Sequence, residues 1–382
     1  MRIADVRVTI VGGPWRDLVF VELHADNGLV GLGEVRPINK TETLVACLRE
    51  LAPRRVIGRD PFNLEALAWD IRRGDYGRPG EVVQSALAAF DIACWDLIGQ
   101  ALEVPVYRLL GGAFRERVPA YANGWYRSER DPDIVADLAR AVVARGYRAL
   151  KIDPFGSAFG HLTPRERRLS LAIVGAVRDA VGPDIDLMIE MHGRFTADEA
   201  ARLARDLEPH RPAWIEEPVP PESPGPLRRV RAATSLPIAS GERIHTLEEF
   251  RDYLEEGVVD VVQADLTHFG GFGPMKHLAA LAEASYLSMA PHNVCGPVGT
   301  MANIHLAVST PAVTYVEHFN DFADPWVQSL VDFPPKVDPD DGCFGIPPGT
   351  GLGLRLDHAA AAEHPGKGAD IRLFEPGWER RA

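Results

Sequence analysis

Short alternating runs and amphipathic stretches take turns along most of this chain. Residues 1–11 (MRIADVRVTIV), 17–26 (DLVFVELHAD) and 28–37 (GLVGLGEVRP) alternate apolar with polar positions or carry β-branched runs, as strands with a buried face do. The DNG at 26–28 is a hairpin turn between the last two. Helical spacing follows in ETLVACLREL (42–51) and NLEALAWDIRR (63–73). VVQSALAAFDIACWDLIGQAL (82–102) is a long helix apolar enough to be packed on several sides. Together these predict an α+β lobe over residues 1–117.

After Val118 the rhythm changes. The strand-like runs RVPAYANG, YRALKID, DLMIEMH, AWIEEP, LPIASGE, VVDVVQAD, YLSMAPH and VTYVEH are separated by helices or helix-sized connections. Eight such alternations predict an α/β fold of the (β/α)8 barrel type over residues 118–329. A doubly wound open sheet is the competing arrangement. Residues 330–382 lose the rhythm; their turn-rich sequence with one short strand predicts a tail packing back on the first lobe and completing it as a cap. The tail's glycines lack the strand-to-helix setting of a nucleotide fingerprint.

Composition narrows the picture little: 25% charged and 46% hydrophobic residues are ordinary for a globular protein. A formal charge of −13 speaks against nucleic acid or an anionic membrane as partner. It does not exclude an anionic substrate, because a local cation can reverse the field of a pocket. Cys47, Cys94, Cys295 and Cys343 show no zinc-type spacing, no stretch is expected to span a membrane, and no signal peptide is visible. Free thiols in a cytoplasmic protein are the expectation.

Candidate chemistry changes the picture more. Polar or charged residues end successive barrel strands at Glu190, Glu216, Glu242, Asp265, His292 and Glu317, at intervals of 26, 26, 23, 27 and 25 residues. That is about one βα unit each, so all should rise at the C-terminal rim where barrel enzymes keep their chemistry. Three converging carboxylates, Glu190, Glu216 and Glu242, would repel one another unless a hard cation joined them, and all-oxygen ligation favours Mg²⁺. A lone strand-end glutamate is more often a salt-bridged surface residue, as Glu217, Glu248 and Glu249 are expected to be. In IEMHGR, strand periodicity puts His192 on the same face as Glu190. Asp265 and His292, on neighbouring strands, form a pair in which the carboxylate orients the imidazole. Two histidines from separated strands suggest a base and an acid on opposite sides of a substrate. His245, His268, His277 and His305 have no comparable placement.

LGGAFRERVPAY, KIDPFG, WIEEP, SGER, VQAD and APHNVCGP, spread over nearly the whole chain, resemble the enolase superfamily. The mandelate racemase-like branch fits best, especially its galactonate dehydratase-type members, through IEMHGR and PHNVCGPVG. The resemblance implies Mg²⁺ on Glu190, Glu216 and Glu242, an Asp265–His292 dyad, and a hydrogen bond from a protonated Glu317 to a developing oxyanion. It also implies a homo-oligomer. Two departures stand out: Glu190 occupies a position where relatives commonly carry Asp, and Lys151-Ile152-Asp153 replaces the Lys-x-Lys of racemase relatives. The second departure favours dehydration of a sugar acid, with loss of the C2 proton and C3 hydroxyl to give a 2-keto-3-deoxy acid. A 2-hydroxy-acid racemase or epimerase is the first alternative and a non-catalytic sugar-acid binder the second. Lys151, Arg194, Asn123, Trp125, Trp15 and Arg16 are the candidate substrate contacts. Trp15 and Arg16 lie in the turn 11–17, and a second polar segment, 72–80, could join it over the substrate.

Overall fold

The computed structural model describes all 382 residues except Pro14, Trp15, Pro37, Asp75, Ala369, Arg381, Ala382 and the side chain of Glu379. Trp15 therefore lies outside the described residues. Strands β1 (Ile3–Gly12), β2 (Asp17–Ala25) and β3 (Val30–Val35) form an antiparallel sheet in the order β1-β2-β3. The helix Glu81–Ala101 lies against β3. Gly31 and Gly33 allow this close approach, since a Cβ at either would collide with the carbonyl of Ala93 or Ala89. By length and composition this helix could cross a membrane, contrary to the expectation that no stretch would. However, 83% of its most apolar window is buried inside the protein.

Eight parallel strands follow: β4 (Val118–Ala122), β5 (Ala149–Ile152), β6 (Asp186–Glu190), β7 (Trp214–Glu216), β8 (Ile238–Ser240), β9 (Val261–Val262), β10 (Ser288–Met289) and β11 (Val316–His318). They pair in the order β10-β9-β8-β7-β6-β5-β4-β11. A parallel bridge between Met289 and Val313 brings the two ends together and closes the barrel. Seven of the connections are helices; between β11 and the tail's strand Cys343–Phe344 the chain makes only the 3-10 turns Asn320–Phe322 and Pro325–Leu330. The sequence DFADPW there offers no helical run, so an eighth full helix is missing.

Inside the barrel, period-two alternation builds layers. Tyr121, Ala149, Met188, Trp214, Ala239, Val261 and Ala290 pack as one buried cluster with Tyr315 against it. Two residues further along seven of these eight chains come Asn123, Lys151, Glu190, Glu216, Gln263, His292 and Glu317. An apolar plug is thus followed, one pleat higher, by a polar layer at the C-terminal rim.

The lobes are joined by buried carboxylates. The barrel helices Phe272–Ala284 and Pro297–Val308 begin at Gly271 and Gly296, which have no side chain to cap them. Asp91 accepts the Phe272 N–H at 2.7 Å. Glu34 accepts from the N–H groups of Gly296, Val298 and Gly299. The first lobe therefore supplies caps the helices lack. Asp96 likewise ties Leu32 (2.9 Å) to Leu352 of the tail (2.7 Å). The tail's strand β12 (Cys343–Phe344) pairs antiparallel with β4 of the barrel, while Gly351 and Pro365 bridge to Pro105 and Val11 of the first lobe.

Candidate active site

Glu190, Glu216 and Glu242 each offer a carboxylate oxygen within 4.8 Å of the others. Lys151 from β5 is the buried cation among them: its Nζ lies 2.6 Å from Glu216, 3.0 Å from Glu317 and 3.3 Å from Glu190. Three carboxylates thus share one lysine. Burial pushes Glu190 up to about 7, against the pull of Lys151. Burial and then the charge of Glu190 drive Glu216 well above the ordinary carboxylate range. Burial acts the same way on Glu242, but His292 and Lys151 outweigh it and hold that group down to about 2. An excess of converging, all-oxygen donors fits a hard divalent cation.

Two Asp–His pairs flank this cluster. His292 Nδ1 is 2.7 Å from Asp265 Oδ2, and His192 Nδ1 is 2.6 Å from Asp153 Oδ2. In both rings the Nδ1 contact leaves Nε2 as the working position, which in His292 lies 3.5 Å from Glu242 Oε2. Burial would lower His292, but Glu242 and the hydrogen bond to Asp265 prevail and raise it to about 9. Burial would raise Asp153, yet Arg194 and His192 keep it below the usual range. The first pair comes from the sixth and seventh barrel strands and the second from the second and third. In an eight-strand ring those positions are diametrically opposed.

His192 arrives by a route that periodicity did not foresee. β6 ends at Glu190, and His192 adopts a left-handed φ of 47°, a conformation uncommon for residues with a side chain. Its N–H donates to Glu190 Oε1 at 2.6 Å. The turn, not the pleat, presents the ring to the cavity.

That cavity is lined by Asn123, Lys151, Glu190, His192, Glu242 and His292 from the barrel, Arg16 and Arg36 from the first lobe, and Trp378 from the tail, among others. Several expectations require correction. Trp125 is buried with its indole N–H donating to the Lys151 carbonyl at 2.8 Å, and its neighbour Tyr126 lines the cavity instead. Arg194 spends its guanidinium on Asp153 and the Gly156 carbonyl, supporting the rim instead of facing a ligand. Glu317 accepts from Asn123 and the Asn293 N–H at 2.7 Å each and pairs with Lys151. Burial raises it, but Lys151 and His292 hold it below the ordinary range, and both its carboxylate oxygens are placed as acceptors instead of as the expected donor. None of the described residues of 72–80 lines the cavity. Glu217 is ion-paired with Arg243 at 2.6 Å as expected, but it is buried and not the surface residue the sequence suggested.

Sequence reasoning missed Asp153, Arg36 and the tail. Asp153 carried a signal, two residues after Lys151 in KIDPFG; Arg36 followed GEV at a strand end; Trp378 in FEPGWER carried none. Trp378 stands edge-on to His192 with ring centroids 5.8 Å apart. It anchors by donating to the Gly156 carbonyl at 2.9 Å.

This arrangement is that of an enolase-superfamily enzyme, and the chain belongs to that superfamily. Residues 133–360 match the enolase C-terminal domain-like family, and residues 6–111 match the mandelate racemase/muconate lactonizing enzyme N-terminal domain. Among relatives of known name, the D-gluconate dehydratase of Thermoproteus tenax is 39% identical over 94% of this chain and 72% of its own length. The D-gluconate/D-galactonate dehydratase of Picrophilus torridus is 35% identical over 90% of this chain and 88% of its own. The crystal structure of a mandelate racemase/muconate lactonizing enzyme from Jannaschia sp. CCS1 is similar with a TM-score of 0.91 at 34% identity. It covers 98% of this chain and 100% of that one.

Proposed function

We propose that the protein dehydrates a sugar acid, removing the C2 proton and the C3 hydroxyl to leave a 2-keto-3-deoxy acid. The observation that carries this reading is the pair of Asp–His dyads, Asp265–His292 and Asp153–His192, facing one cavity from opposed staves. The names of the relatives support it. Glu190, Glu216 and Glu242 would hold Mg²⁺, which when bound supplies positive charge for a substrate carboxylate and for the charge that develops on it.

The chain's own residues then divide the work. Lys151 adds a fixed positive charge beside the carboxylate end. His292, oriented at Nδ1 by Asp265, takes the C2 proton at Nε2 as general base. The electron pair left at C2 forms a double bond to C3 as the C3–O bond breaks. His192, oriented by Asp153, gives its Nε2 proton to the departing hydroxyl, which leaves as water, and the resulting enol tautomerises to the keto acid. Trp378 and its neighbours Ile371 and Leu373 line the cavity and keep bulk water off that face.

The test is incubation with Mg²⁺ and a stereoisomer panel of aldonic and aldaric acids, assaying 2-keto-3-deoxy products. C2 deuterium exchange with no keto acid would instead mark a racemase or epimerase. Binding with neither exchange nor product would mark a non-catalytic protein.

A further inference from the structure

Arg36 is a buried cation with no counter-charge among the described residues. Its residue is 2% exposed, its Nε has no hydrogen-bond partner, and it lines the substrate cavity. Among the described residues its guanidinium takes part in no ion pair. A charge taken out of water without a partner is costly, and proteins keep one only where something else supplies the counter-charge. The nearby Glu34 does not serve, because its two oxygens are engaged by the N–H groups of Gly296, Val298 and Gly299.

Arg36 is not isolated in sign. Arg16 lines the same cavity, also buried, with its guanidinium 4.5 Å from the centre of the Phe319 ring. Burial first, and then the charge of Arg36, lower Arg16 well below its usual range. The two arginines come from the same end of the first lobe's sheet, just before β2 and just after β3. The cavity is therefore bipolar, with carboxylates and Lys151 on the barrel rim and guanidinium groups on the cap. A ligand with one carboxylate at the acidic, cation-binding end leaves the basic end to whatever its far carbon carries.

We infer that Arg36 binds a second, terminal carboxylate, so that the preferred substrates are aldarates and not aldonates with a neutral CH2OH end. This rests on the sugar-acid reading above and deepens it. A planar guanidinium matches a carboxylate through paired hydrogen bonds that a hydroxymethyl group cannot reproduce. With the neutral end, Arg36 stays buried and unpaired, which rejects that ligand as well as failing to attract it. The named relatives act on gluconate and galactonate, so the assignment separates this chain from them.

The experiment measures binding apart from turnover. The His292→Asn protein with Mg²⁺ is titrated calorimetrically with the stereoisomeric six-carbon aldarates and with the matching aldonates, including D-gluconate and D-galactonate. The expected result is at least one aldarate bound about 30-fold or more tighter than its aldonate, a margin in keeping with a buried charge-assisted pair. Adding Arg36→Gln should erase that margin while changing aldonate affinity by less than about 3-fold, and Arg36→Lys should restore part of it. The inference is overturned if no aldarate binds, if aldonates bind as tightly, or if Arg36→Gln weakens both classes equally. The last result would place Arg36 on the carboxylate they share. A clear aldarate margin without keto-acid release by the unmutated protein would keep the Arg36 assignment and sink dehydration instead.

Discussion

At the scale of single residues, the two dyads make separable predictions. His292→Asn and His192→Asn should each lower kcat by roughly 10²–10⁴-fold, with melting temperature close to that of the unmutated protein. His292→Asn should also abolish C2 deuterium exchange, whereas His192→Asn should retain it. Loss of exchange in both would assign His192 to more than the leaving group. Asp153→Asn should act on the His192 side alone, because its carboxylate touches that ring and Arg194. The strand-end acids and His292 were legible in the sequence because their spacing matches one βα unit, a regularity imposed by backbone geometry. Asp153, Gln263 and Arg36 were not. A buried Asp or Arg carries its meaning in what lies across a cavity, and no local spacing encodes that.

Elements carry a second set of consequences. Asp91, which caps a helix of the other lobe, is pushed up to about 7, chiefly by burial. Its unfolded value is roughly 4, so the folded state holds this proton more tightly. The resulting stability is complete below about pH 4 and disappears as pH rises through 7. Asp91→Asn retains an acceptor for Phe272 and does not titrate. Between about pH 5 and pH 8 the unmutated protein should therefore lose several degrees of melting temperature relative to Asp91→Asn. A difference that stays constant would mean that Asp91 is ionised throughout. The tail gives a different expectation: Trp378→Ala should reduce kcat/KM by about tenfold with little change in unfolding temperature, since its ring packs on His192 at the cavity wall. Equal losses of stability and activity would make it merely structural. All eight barrel strands were legible from alternation. The left-handed turn at His192 was not, because a single φ reversal leaves no periodic trace.

For the whole molecule, the converging carboxylates Glu190, Glu216 and Glu242 should make stability depend on a bound cation. Mg²⁺ added to chelator-treated protein should raise the melting temperature, by about 3 kcal/mol of stabilisation at a hundredfold excess over its dissociation constant. Glu216→Gln should weaken that response, and an unchanged response would remove Glu216 from the cation site. The shared capping has a further consequence, for the order in which the chain is made. Glu34 meets Gly299 across 265 residues of sequence, and Asp91 meets Phe272 across 181. As synthesis runs from the amino end, the first lobe leaves the ribosome with both carboxylates facing water, long before the amides they will accept from exist. Docking of the cap must wait for nearly the last barrel stave, so the finished enzyme assembles late and from the far end backwards.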